Sequence, residues 1–88
     1  MYSLEIRESV DRIFRKLAKK DKRQMLAVVK KIEQVCANPY HFKPLRAPMQ
    51  HLRRVHVGSF VLVYSVDEKR RVVTIEEYAH HDEVYLRR

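Results

Sequence analysis

Leu52-Arg53-Arg54-Val55-His56-Val57-Gly58-Ser59-Phe60-Val61-Leu62-Val63-Tyr64-Ser65-Val66 is the stretch that decides the fold. Leu52 to Val57 alternates and carries β-branched residues, Gly58-Ser59 is a tight connection, and Phe60 to Val66 is an almost unbroken apolar run. A strand apolar on nearly every residue is covered on both faces, so Phe60 to Val66 is expected at the centre of a sheet. Asp67 to Arg70 then reads as a polar turn and Val72 to Tyr78 as a third strand, which completes a meander, with Ala79 to Arg88 as a short tail.

Working back towards the N-terminus, Tyr40 to Gln50 reads as a loop punctuated by Pro44 and Pro48. Asn38-Pro39 ends a helix, because the residue before proline is pushed out of the α region. Within that helix Met25, Val28, Val29, Ile32, Val35 and Cys36 form one apolar stripe, and Asp21 to Gln24 has the form of a capping box ahead of it. An earlier stripe of Val10, Ile13, Phe14, Leu17 and Ala18 marks another helix, with Ser9 as its expected cap. Tyr2 to Ile6 alternates and reads as a first strand. The expectation is an α+β domain of order β-α-α-β-β-β, a two-helix amphipathic hairpin packed on one face of an antiparallel sheet. One glycine and three prolines leave no flexible linker, so residues 1–88 are read as a single domain.

Composition narrows the function. Nineteen Lys and Arg against eleven Asp and Glu give a formal charge of +8, most of it before residue 51. Such a field attracts phosphate and speeds encounter with it, which points to RNA. The single Cys36 cannot form an internal disulfide, and the longest apolar run is too short for a signal peptide or a membrane span. A cytoplasmic protein that meets no membrane is expected.

Arg54 and His56 leave the same face of their strand, opposite Val55 and Val57. His80 and His81 follow the last strand, and a tail folding back would bring an imidazole and the Tyr85 phenol towards the same surface. RNA can be cut without a metal when a base takes the 2′-OH proton, cations stabilise the phosphorane, and an acid protonates the departing 5′ oxygen. Histidine suits the proton transfers and arginine the phosphate. Each residue also has a plainer role: a lone strand histidine is more often structural, Arg53 and Arg54 can face solvent, and Tyr85 can pack the tail. No His-x₃-His or Cys-x₂-Cys spacing occurs and Cys36 lies inside a helix stripe, so no metal site is expected. One glycine excludes phosphate-loop and dinucleotide signatures, and no cofactor is expected.

Leu52 to Val66, Val72 to Tyr78, His80 to Tyr85 and the preceding Lys43-Pro44-Leu45 together resemble the RelE/ParE superfamily of type II toxin–antitoxin toxins, over nearly the whole chain. The resemblance implies a RelE-like microbial RNase fold and a toxin that cuts mRNA on the ribosome without a metal, stops translation and is silenced by a cognate antitoxin. Carried over by position, Arg54, His56, His81 and Tyr85 are implied as catalytic; Lys43, Arg46, Arg53 and His80 are expected beside them as RNA and phosphate contacts. The Arg53 to Val57 and Leu62 to Tyr64 pattern resembles the YafQ-type branch, which relies on histidines. Val61 departs from the family pattern by replacing a phosphate-binding arginine, and Ser59 stands near where the YafQ type has an acidic residue. The ParE branch, which poisons gyrase and lacks nuclease residues, therefore implies the alternative of a binding protein with no chemistry.

Overall fold

The computed structural model describes residues 1–86, with the backbone alone for Tyr85 and Leu86. Strand β1 (Ser3–Ile6) leads directly into helices α1 (Glu8–Lys20) and α2 (Lys22–Ala37). After a loop come β2 (Leu52–Val57), β3 (Phe60–Asp67), β4 (Val72–His80) and a last short helix, α3 (His81–Leu86). The expected α+β order and helical hairpin are present, and the sheet order is β1-β4-β3-β2. The meander is antiparallel, but β1 joins β4 in parallel, so the sheet is mixed.

Val61, Leu62, Val63 and Tyr64 are all fully buried, which explains the unbroken apolar run. Leu62 and Tyr64 face the hairpin, where Val10, Phe14, Val28, Ile32, Val35 and Cys36 meet Val55, Val57, Val73, Ile75 and Tyr78. Val61 and Val63 face the other way, beneath Leu45, Leu52 and Val84. Each fully buried aliphatic side chain contributes about 1.5–3 kcal/mol. His81–Leu86 of the tail is therefore a helix, whose Val84 packs on the second face of the sheet, and β4 runs two residues further than its pattern indicated.

Two local expectations are corrected. Ser9 does not cap α1: the cap residue is Arg7, whose backbone N–H donates to the Ile75 carbonyl and whose carbonyl accepts from Asp11. The strand passes into the helix without room for a separate cap. Ile13 and Val29, both placed in the stripes, are 41% and 40% exposed, because a two-helix layer buries only a narrow strip against the sheet. The Asp21 cap does form, its Oδ1 accepting from the Gln24 N–H at 3.0 Å. The Gln24 side chain, however, reaches the Tyr78 hydroxyl at 2.7 Å and so ties α2 to β4.

Candidate nucleic-acid interface

β2 is an edge strand, and the chain between α2 and β2 folds over its open side. The Arg54 N–H donates to the Lys43 carbonyl at 3.2 Å and the Leu45 N–H to the Leu52 carbonyl at 2.9 Å. These bonds create a cleft of about 350 Å³ lined by Lys31, His41, Phe42, Lys43, Arg54, Val55 and His56. Among the described residues no carboxylate lines it. Strand alternation places Arg54 and His56 on the face away from the hairpin, as the sequence indicates, while Val55 and Val57 enter the core.

Arg54 carries the clearest signal. Its Nε–H is buried and has no hydrogen-bond partner among the described residues, whereas buried donors are almost always paired. Lys31, Lys43 and Arg54 also stand in no ion pair among the described residues. A phosphate oxygen would satisfy the guanidinium with a charge-assisted bond in a partly desolvated setting.

His80 and His81 form a second cluster. The His81 backbone N–H and ring Nδ1 both lie against the Ser59 carbonyl, at 3.0 and 3.1 Å. That carbonyl is presented by the turn at Gly58, whose φ of +62° is a backbone conformation glycine adopts without strain. His81 Nε2 lies 3.0 Å from Asp82 Oδ1, and the His80 ring packs edge-on against Phe60. His56 and Ala79 share one cross-strand row through Val61, so their backbones are on the order of 10 Å apart, two strand spacings, and His81 follows two residues beyond Ala79.

Not every expected residue joins these groups. Arg53 points to the hairpin side, where its Nη1 donates to the Phe42 carbonyl at 2.6 Å and its guanidinium sits 5.0 Å from the Tyr40 ring centroid. It braces the loop. Arg46 is exposed on that loop, outside the cleft lining. The Tyr85 side chain lies outside the described residues. Lys31 and His41 line the cleft although sequence reading passed over them. Lys31 lies 23 residues before Arg54 in the sequence, and the fold brings both to the cleft lining.

The arrangement supplies cations for a phosphate and imidazoles for proton transfer on either side of it. Comparison with known proteins bears on this geometry. A family model for the ParE toxin of the type II toxin–antitoxin system parDE matches residues 1–85. A Methanocaldococcus jannaschii protein that bears the toxin name RelE4 is 44% identical, over 100% of this chain and 95% of its own. An uncharacterized protein of Methanosarcina mazei is 50% identical, over 97% of this chain and 100% of its own. Among solved structures, an Escherichia coli RelE mutant in the free state is similar with a TM-score of 0.75 and 26% identity, over 97% of this chain and 90% of that one. A toxin–antitoxin complex, RelBE2 of Mycobacterium tuberculosis, contains a chain similar with a TM-score of 0.75 and 25% identity, over 90% of each.

Proposed function

This chain belongs to the RelE/ParE superfamily of type II toxin–antitoxin toxins, and from that premise we propose that it is a ribosome-dependent, metal-independent mRNA endoribonuclease. The observation that carries the reading is the cleft beside Lys31, Lys43 and His56, in which, among the described residues, no carboxylate lines the wall and the buried Arg54 donor has no partner. A merely solvated basic face has no use for such a donor.

In this reading the mRNA phosphodiester lies between the cleft and His81. One imidazole takes the 2′-OH proton, the 2′ oxygen attacks phosphorus, and Arg54 with Lys31 and Lys43 stabilises the phosphorane. The other imidazole protonates the departing 5′ oxygen, leaving a 2′,3′-cyclic phosphate and a 5′-hydroxyl. His56 and His81 share these two roles, His80 adds a contact, and Tyr85 stacks on a base or orients the substrate. The lysines and arginines of the hairpin meet ribosomal RNA, with Arg46 and Arg53 on the loop side. Translation stops as a result, and the protein acts in the cytoplasm. A cognate antitoxin, an acidic segment that folds as it binds, silences it.

The rival reading, a binding protein such as a gyrase inhibitor, is favoured by Val61. That side chain is fully buried under Val84 and Leu45, so no cation can work from its position. Primer extension on a defined mRNA, with and without ribosomes, separates the two. We expect cuts in A-site codons that need the ribosome and vanish with His81→Ala, whose thermal unfolding curve stays in place. Intact mRNA from the folded protein would hand the case to the binder.

A further inference from the structure

We propose that His80, His81 and Asp82 form a binding site for a divalent transition-metal ion, with zinc the ion its donors suit. The site arises where β4 stops at His80 and the chain turns into α3 at His81. Consecutive side chains diverge along a strand, but here the turn brings the two rings to 4.5 Å between centroids, tilted by 33°. One potential ligand atom from each of the three residues lies within 4.8 Å of the other two.

The hydrogen bonds fix which atoms hold lone pairs. The Ser59 carbonyl only accepts, so His81 Nδ1, 3.1 Å away, carries the ring proton in the neutral imidazole. That leaves a lone pair on Nε2, aimed at Asp82 Oδ1 3.0 Å away, which is also an acceptor. His80 Nδ1 accepts from the Asp82 N–H at 3.3 Å, a long bond, and lies 3.7 Å from Asp82 Oδ2. The His81 Nε2 lone pair thus faces a carboxylate with no donor side chain between them among the described residues, and His80 Nδ1, engaged only by the long bond from the Asp82 backbone, lies beside the same carboxylate. A cation resolves this, and two nitrogens with one carboxylate oxygen suit zinc, which takes such ligands at about 2.0–2.2 Å.

The Ser59 carbonyl plays the outer partner that metal-bound histidines ordinarily have, setting tautomer and ring orientation. Side-chain exposures of 39%, 43% and 70% for His80, His81 and Asp82 let the donors close on an ion and leave a fourth position for water. The ring spacing was invisible in the sequence because no two of the histidines and the cysteine sit three or four residues apart. The site shares His80 and His81 with the nuclease reading, so a bound ion would withhold the His81 ring from proton transfer, but zinc binding itself is read out without cleavage and does not involve the cleft at Arg54 and His56.

Isothermal titration of the full chain with zinc chloride tests it. We expect one zinc ion per chain, an affinity reduced at least about tenfold by Asp82→Asn and further by His81→Ala, and no change with His51→Ala. Amide resonances of Ser59 and His80 to Asp82 should shift on titration. Should His81→Ala lose its fold by circular dichroism, the exposed Asp82→Asn carries the test. No heat of binding, or equal affinity in wild type and Asp82→Asn, overturns the site and leaves a histidine–aspartate ion pair only.

Discussion

Two corners of the sheet use arginine and lysine in opposite ways. At the corner where β1 begins and β3 turns into β4, Glu68 accepts from the Tyr2 hydroxyl at 2.7 Å and the Tyr40 hydroxyl at 2.6 Å. Arg71 closes the group, its Nη1 3.2 Å from Glu68 Oε2 and its guanidinium 4.2 Å from the Tyr2 ring centroid, while Arg70 pairs with Glu5 at 2.9 Å. At the β2 edge Lys31, Lys43 and Arg54 surround a cleft with no carboxylate among its described lining residues. The excess of cations over the whole chain says only that some must go unpaired. Where the carboxylates stand decides which cations hold the structure and which are left to bind.

The comparison breaks most visibly at His56. His56→Ala should reduce cleavage in the ribosomal assay by about 10²–10⁴-fold, the usual size of a general acid–base contribution. Its exposed position predicts an unchanged melting temperature. Full activity with a melting point lowered by several degrees would make the cleft structural, like the other corner. Lys31→Ala is the next test. Loss of a charge-assisted phosphate contact is worth about 1.5–3 kcal/mol, so affinity for a short RNA in fluorescence anisotropy should drop about 10–100-fold. The slope of log affinity against log salt should lessen by about one contact. An unchanged salt slope would place Lys31 outside the RNA path.

Period and turn chemistry made most of this fold legible: the central strand, the helical hairpin, the Asp21 cap and the shared face of Arg54 and His56 all depend on residues near one another in sequence. What escaped depends on distant contacts. The parallel pairing of Ser3–Ile6 with Val72–Ile75 spans most of the chain and leaves no local trace. The same holds for Lys31, which joins the site only because the loop before β2 folds back over it. Arg53 is expected as a phosphate contact with Arg54, yet period-two alternation sends the two neighbours to opposite faces.

The smallest expected effect lies at the paired corner. The Tyr40 hydrogen bond, then that of Tyr2, lowers the Glu68 carboxyl below its ordinary range, and the Tyr40 phenol is pushed up to about 12, chiefly by its bond to Glu68. A carboxyl lowered on folding stabilises fully above its ordinary pKa, and that contribution fades as pH falls through the folded value. A phenol raised on folding stabilises fully below its ordinary pKa of about 10, and its contribution fades as pH climbs to about 12. Glu68→Gln should therefore make stability fall less steeply on both limbs in urea titrations from acid to alkali, with cleavage unaltered. The limbs should not flatten completely. Burial raises the Glu76 carboxyl, but hydrogen bonds from Ser65 and Arg7 outweigh it and leave it lowered, while burial pushes Tyr64 up to about 12. Identical profiles for wild type and variant would mean that the corner is a surface decoration and that Arg71 does not hold the structure through Glu68.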